Sequence, residues 1–382
     1  MEPFAIVTVG YNRPACMQRL LASLDAAHYP QDIPLIVSLD NCGNDAVEQA
    51  VKAFTWHHGE KKILTHPERL GLKKHILSCG ELTKQYENII VFEDDLYVSP
   101  YWFDFVTAAV ERYGSDERIA GIGLYNYDFC QNSGYPFSPI ADGNDVFFIR
   151  HACSWGQVWS SDKWAAFRKW YESNSAPFDN APEVPANVNR WNEKSWLKYH
   201  VRYCIDTDKY FVFPRESLTT NFSTAGSHSK RNSNLYQVPL LSGKRSYALP
   251  TLDESGAVYD AFFENTRLAD HLGVKADELC VDLYGVRENS AGKKYWLTER
   301  DADYAVVRSF GLEFKPRDAN ILYDIEGDVF RLYDTTSPAK NTPRSAKTLN
   351  DLEVEYAARD ISLKKMIHFC MTESIRRAKK KR

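Results

Sequence analysis

No stretch of this 382-residue chain approaches the roughly 20 consecutive apolar residues of a membrane-spanning helix, which argues against an integral helical membrane protein. Its 8 cysteines are scattered with no C-x-x-C pair, against a zinc site or disulfide scaffold and for a reducing compartment. Neither G-x-G-x-x-G nor a P-loop occurs, which disfavours dinucleotide oxidoreductases and ATPases. Positive charge is not in excess: the net charge is -4, so no nucleic-acid partner is expected. The opening MEPFAIVTVGYNRP lacks the charged and apolar regions of a signal peptide, and the expectation is a cytoplasmic protein.

What the chain does have is an apolar run that ends in acid. Ile89-Ile90-Val91-Phe92 leads directly into Glu93-Asp94-Asp95-Leu96. An ionised carboxylate in low dielectric must be paired or bind a cation. The strand is therefore expected to leave a sheet and deliver its acids into a cleft, where they can hold a hard divalent ion against a ligand's phosphates. The plainer alternative is that the three acids are solvated loop residues or helix caps.

The first hundred residues alternate strand and helix patterns. Strands are predicted at Phe4–Val9, Pro34–Leu39, Lys62–Thr65 and the acidic segment, with helices at Met17–Leu24, Asp45–Phe54 and Leu72–Thr83. Pro14 suits a helix start, where its missing N–H costs nothing. Such alternation implies βαβ units and a parallel sheet, in which ligands bind at the carboxyl ends of strands where the strand order reverses. Tyr11-Asn12-Arg13, Asp40 and Glu93-Asp94-Asp95 all lie at such ends. Aromatic residues make up 13% of the chain, enough to supply sugar-stacking faces, although most should be core.

Several segments, in this order, resemble the GT-A glycosyltransferases, of the N-acetylglucosaminyltransferase I type and the related bacterial family-two-like sugar transferases. They are Val9-Gly10-Tyr11-Asn12-Arg13, Ile36-Val37-Ser38-Leu39-Asp40, Lys74-His75 and Glu93-Asp94-Asp95-Leu96-Tyr97-Val98-Ser99-Pro100. Ser154-Trp155-Gly156-Gln157-Val158-Trp159 and the stretch from Phe213-Pro214 to Asn221-Phe222-Ser223 extend the resemblance over about residues 3 to 232. It implies that Asp95 ligates Mn²⁺ or Mg²⁺ and that Glu93 and Asp94 hold ribose and metal-bound waters. It further implies that Asp40 accepts a hydrogen bond from the base and that Arg13 and His75 line the nucleotide. Each has a plainer reading: Asp40 as a helix cap, Arg13 paired with a surface acid, His75 an exposed helix residue.

The bacterial relatives carry their catalytic base in an Asp-x-x-Trp segment on a helix. Glu193-Lys194-Ser195-Trp196 matches with Glu for Asp, which makes Glu193 the expected base, with Asp206 and Asp208 as rivals. Trp155 with Gly156 is the expected sugar contact, and Ser227 and His228 belong to a loop expected to close over the donor, with Lys230-Arg231 adding charge. Trp155 and Trp159, four residues apart, otherwise read as one buried helix face.

After about residue 236 the pattern changes. Cys280–Val286, Lys294–Thr298 and Tyr304–Phe314 read as strands, with Asn320–Ile325 and Val329–Tyr333 as a hairpin. Thr335–Lys347 reads as a linker. The tail is a helix pattern with eight Lys/Arg and one Glu between Ser362 and Arg382, suited to an anionic membrane surface, or else packed on the β module with a basic end.

The fold expected is α/β: a GT-A, Rossmann-like, mostly parallel sheet flanked by helices, then a smaller C-terminal β-rich module and a C-terminal helix. The expected divisions are residues 1–235, 236–334 and 335–382. The resemblance implies an inverting, metal-dependent transferase using a UDP-sugar on a glycan or lipid-linked glycan in bacterial surface polysaccharide synthesis. A nucleotidyltransferase and a non-catalytic glycan-binding subunit are the alternatives. The location is cytoplasmic, with peripheral contact to the inner face of the cell membrane as an extension.

Overall fold

The computed structural model describes residues 2–222, 224, 234–243, 246–343 and 361–380. Two compact units divide the chain, Met1–Ala276 and Asp277–Arg382.

In the first unit the strands are β1 (Glu2–Gly10), β2 (Leu35–Leu39), β3 (Lys61–Thr65), β4 (Tyr86–Glu93), β5 (Leu96–Val98), β6 (Ile119–Gly123), β7 (Val146–Ile149), β8 (Gln157–Ser160), β9 (Tyr210–Pro214), β10 (Thr219–Asn221) and β11 (Val258–Tyr259). The helices are α1 (Pro14–Asp25), α2 (Ala46–Ala53), α3 (Leu72–Gly80), α4 (Trp102–Tyr113), α5 (Ser161–Asn174), α6 (Ala186–Asn189), α7 (Trp196–Asp206) and α8 (Leu268–Leu272). Nine strands form one sheet in the order β11-β7-β9-β6-β8-β4-β1-β2-β3. The β4-β1-β2-β3 half is parallel throughout, while β8 runs antiparallel to both β4 and β6.

The apolar runs predicted as strands are the buried heart of that sheet. Ala5, Ile6, Val7, Leu35, Val37, Ile89, Ile90 and Phe92 are all fully buried. Strands of a parallel sheet covered by helices on both faces must be apolar on both sides, which explains continuous runs rather than alternation. Pro14 occupies the first turn of α1. Gly10 is required where β1 ends, because a Cβ there would lie 2.6 Å from Met17 Cε and 2.9 Å from Leu39 Cδ2.

The strand order reverses around β1. From β1 the chain steps outward through β2 to β3, then returns to place β4 on the other side of β1. The crevice between the carboxyl ends of β1 and β4 is thus the topological switch point of the sheet. Val9 pairs with Glu93, so the turn after β1 and the acids after β4 leave the sheet side by side.

Val258–Tyr259, inside the 236–334 stretch expected as a β-rich module, is an edge strand of this main sheet, parallel to β7. The second unit contains a four-stranded sheet of β12 (Leu279–Asp282), β13 (Tyr295–Thr298), β15 (Phe330–Pro338) and β14 (Tyr304–Phe310), in that spatial order. The first half of the expected hairpin strand Asn320–Ile325 is instead the end of helix α9 (Arg317–Leu322), and the second half is turn and loop. Asn320 is fully buried and accepts from the backbone N–H groups of Glu313 and Phe314 at 2.7 and 2.9 Å. That side chain holds the preceding loop against the helix, a tertiary use of an amide that propensity does not register. Part of the expected linker, Thr335–Pro338, continues β15. The tail forms α10 (Leu363–Lys380). Among the described residues no helix is long and apolar enough to cross a membrane.

Candidate active site

At the switch point the first βα turn meets the acid triplet. Arg13, the residue before α1, donates to both oxygens of Asp94: Nε lies 3.2 Å from Oδ2 and the terminal NH2 contacts Oδ1 directly. The same NH2 lies 3.3 Å from Asp95 Oδ2. Burial pulls the Arg13 pKa down, but hydrogen bonding to Asp94 and the charges of Asp94 and Asp95 outweigh it and leave it raised. Asp94 is only 5% exposed. Burial pushes its carboxyl up to about 6 despite Arg13. The guanidinium gains from two acids, whereas the carboxylate suffers both desolvation and a neighbouring anion, so both partners shift upward.

Glu93 is pushed up further, to about 8, by burial and by the adjacent charges of Asp95 and Asp94, while Arg13 and a hydrogen bond from Trp196 oppose the rise. Asp95 differs from both: its Oδ1 is buried and has no hydrogen-bond partner among the described residues. A buried, unpaired carboxylate oxygen is the donor a hard divalent ion requires, so the residues present fit such an ion at Asp95. Among the described residues no cluster of three His, Cys, Asp or Glu side chains could hold a metal unaided. Any further ligands would have to come from ligand oxygens and water.

At the carboxyl ends of β1, β2 and β3 lies a cavity of about 570 Å³ lined by Tyr11, Asp40, Asn41, Asp45, Thr65 and His66, among others. Arg69 lies over the Tyr11 ring at 4.9 Å, stiffening one wall. Asp40 accepts from the backbone N–H groups of Asn41 (2.9 Å) and Leu70 (2.7 Å) on Oδ1, and of Gly71 (2.9 Å) on Oδ2. It therefore ties the loop that enters α3 to the end of β2, and Oδ2, with one bond, keeps an acceptor direction. His75 is not at the surface of this cavity. It is 2% exposed, 2.7 Å from Ser38 Oγ and edge-on to His66 at 5.1 Å, and burial lowers its pKa to about 4.

Glu193 lies in the loop before α7 rather than on a helix. Its Oε1 accepts from Lys198 Nζ and its Oε2 from the Tyr199 hydroxyl at 2.5 Å. Burial raises its pKa, but those hydrogen bonds, with the charges of Lys198 and Lys73, prevail and hold it below the usual range. Lys198, 1% exposed, also donates to the carbonyls of Asn189 and Trp191 at 3.0 and 2.9 Å, fixing the loop that carries Glu193. Trp196, three residues on, is close enough to Glu93 to oppose the rise of its pKa, so this loop adjoins the acid triplet. Asp206 is paired with Arg202 at 3.3 Å and Asp208 with Arg150 at 2.6 Å.

Trp155 and Trp159 are separated by a strand start, not stacked on a helix face. Trp159 is fully buried against Trp164 and Trp196. Trp155 is half-buried, its ring 4.6 Å from Tyr125 and 4.8 Å from Tyr236. Gly156 is buried with φ +86°, and a Cβ there would lie 2.8 Å from Thr219 Cγ2. It lets β10 pack on β8, and β10 pairs in turn with β5 just after the triplet. Phe222 donates its N–H to the Asp95 carbonyl at 2.9 Å, and Arg19 stacks on its ring at 3.5 Å. Ser227, His228, Lys230 and Arg231 lie outside the described residues.

Sequence reasoning passed over Arg69, His66, Lys198 and Tyr199. Lys198 and Tyr199 had a usable signal, since both follow Glu193 within two helical turns. Arg69 and His66 had none, because only the fold brings the loop after β3 to Tyr11.

No protein-family profile matches this chain. No curated protein matches it either. Solved structures similar to it include S. aureus TarS 1-349 in complex with UDP, 13% identical with a TM-score of 0.38, covering 57% of this chain and 59% of that one. Others are the mannosyltransferase PcManGT from Pyrobaculum calidifontis in complex with GDP-Man and Mn²⁺ (14% identical, TM-score 0.31, 50% of this chain and 51% of that) and mouse xyloside xylosyltransferase 1 (9%, 0.36, 55% and 84%). The chain thus spans about 59% of the length of TarS 1-349. Superposition at this level carries no argument about activity, and the functional reading rests on the site itself.

Proposed function

We propose that this protein is an inverting, metal-dependent glycosyltransferase that moves a sugar from a UDP-sugar to a glycan or lipid-linked glycan in bacterial surface polysaccharide synthesis. The observation that supports it is the meeting of Arg13 with Asp94 and Asp95 in the switch-point crevice, with a cavity of about 570 Å³ at the carboxyl ends of β1, β2 and β3 of the same sheet. That volume lies within the roughly 300–1,000 Å³ of small-ligand sites.

In this reading Tyr11 and Arg69 flank the base, Asp40 reads its N–H, Arg13 binds diphosphate oxygens, and Asp95 Oδ1 holds Mn²⁺ or Mg²⁺. The bound ion would neutralise the diphosphate and support departure of the nucleoside diphosphate. Glu193 takes the proton of the acceptor hydroxyl. Lys198 and Tyr199 keep it ionised at neutral pH and aim it, at the cost of some basicity. Trp155 offers a half-buried ring to a sugar face. The exposed Leu363, Ile367, Phe369, Met371 and Ile375 of α10, on a basic helix, support docking at an anionic lipid surface, where a lipid-linked acceptor would be found.

Thermal-shift measurement with nucleoside diphosphates and nucleotide-sugars, with and without Mn²⁺, tests the reading. UDP with Mn²⁺ should raise the midpoint, and failure of every nucleotide to do so would remove the proposal. Slow hydrolysis of a nucleotide-sugar without acceptor separates an enzyme from a glycan-binding subunit, and pyrophosphate release would instead identify a nucleotidyltransferase.

A further inference from the structure

Three acids follow one another at the end of β4, and among the described residues one basic side chain pairs with Asp94 and Asp95. Arg13 makes a two-pronged contact with Asp94 and reaches Asp95 Oδ2 with the same nitrogen. Of the four oxygens on these two carboxylates, three face the guanidinium. The fourth, Asp95 Oδ1, is buried and has no partner among the described residues. A divalent ion approaching the protein without nucleotide would therefore find one free carboxylate oxygen and a fixed positive charge against it. Coulomb repulsion from the guanidinium opposes a dication a few ångström away.

We propose that Arg13 is the resident cation of the acid pair: it blocks divalent-ion binding to the nucleotide-free protein and is drawn off by a diphosphate, which opens the acids to the ion. The proposal rests on the nucleotide-sugar reading for the identity of the diphosphate, while its metal half stands on the geometry alone. A guanidinium matches two phosphate oxygens as well as it matches a carboxylate, and a diphosphate carries more charge than Asp94. Exchange therefore costs little hydrogen bonding. It also couples the two ligands, because each carboxylate oxygen that Arg13 leaves becomes available to the ion. Arg13 is well placed to move: it belongs to a turn, its side chain is 21% exposed, and its one further hydrogen bond among the described residues is a 3.4 Å contact to the Thr224 carbonyl.

The test is direct Mn²⁺ binding, followed by electron paramagnetic resonance of free Mn²⁺ in the absence of nucleotide. Wild type should bind weakly, and Arg13→Gln should bind at least about tenfold more tightly, since one repelling charge is gone. Arg13→Gln combined with Asp95→Asn should lose that gain. Arg13→Lys, whose single ammonium cannot span both acids, should fall between wild type and Arg13→Gln, and it carries the test if Arg13→Gln does not fold. Calorimetric titration with UDP alone should show the reverse order, with Arg13→Gln the weakest. Wild-type Mn²⁺ affinity equal to that of the Arg13 variants would overturn the proposal, as would a gain that survives Asp95→Asn. If no nucleotide binds wild type under any condition, the nucleotide-sugar reading fails, and the Mn²⁺ comparison still decides the blocking role of Arg13.

Discussion

The Tyr199 hydroxyl donates a 2.5 Å hydrogen bond to Glu193 Oε2 while Lys198 holds the other oxygen. A carboxylate gripped this way is oriented and stays ionised, so its use as a proton acceptor should be visible in kinetics. Glu193→Gln should keep nucleotide binding and lower kcat by about 10²-fold or more. Tyr199→Phe removes one of the groups that depress the Glu193 pKa. That pKa should rise, and the acid limb of the kcat profile should move to higher pH. An unmoved limb would assign the proton transfer to another residue.

Asp40 binds three backbone N–H groups. Asp40→Ala should therefore destabilise the first unit by about 1–3 kcal/mol in chemical denaturation, because buried donors lose their acceptor. A residue that only read the base would lower nucleotide affinity and leave the denaturation midpoint unchanged.

His200 is buried with its ring stacked on Phe167 at 4.3 Å, and neither ring nitrogen has a partner among the described residues. Burial lowers its pKa to about 3. The unfolded chain takes up the proton near pH 6.5 and the folded protein does not, so stability is complete above that pH and is lost as pH falls toward 3. His200→Phe should flatten the fall by up to about 1.4 kcal/mol per pH unit across that window. Urea titrations at pH 7, 6 and 5 would measure it; parallel curves for both proteins would contradict the assignment.

Gly156 combines φ +86° with a packing distance that excludes a Cβ. Gly156→Ala should cost about 1–3 kcal/mol through backbone strain, before the clash with Thr219 is added. If the glycine served only to let a sugar approach, the alanine variant would melt like wild type and bind donor less well.

On α10, Ile367 and Phe369 are 51% and 65% exposed. Replacing both with Glu should abolish co-sedimentation with vesicles containing phosphatidylglycerol, and raised salt should weaken the wild-type interaction. Equal sedimentation of the two proteins would end the lipid-surface proposal.

Much of the first unit is legible in the chain because its local and tertiary demands agree. The runs that became β1, β2 and β4 are apolar on both faces, and each ends in polar residues at the edge where a parallel sheet exposes its loops. Arg13, Asp40 and the acid triplet could thus be placed at one rim without coordinates. The antiparallel insertion of β8 between β4 and β6 was not legible, because pairing partners are chosen by long-range packing and not by the residues of the strand. The helix at Arg317–Leu322 was not legible for the same reason, the buried amide of Asn320 serving a loop that adjacent sequence does not announce.

The sequence by itself determined that three carboxylates would emerge from an apolar strand and need a cation, since burial makes their charge costly whatever the fold. Tertiary structure alone decided how that need is met. It set β1 beside β4, brought Arg13 onto Asp94 and Asp95, and left Asp95 Oδ1 unpaired. Residues 81 positions apart in the chain acquire that relationship through a strand register, because only hydrogen-bonded pairing of the two strands fixes the height at which their ends meet.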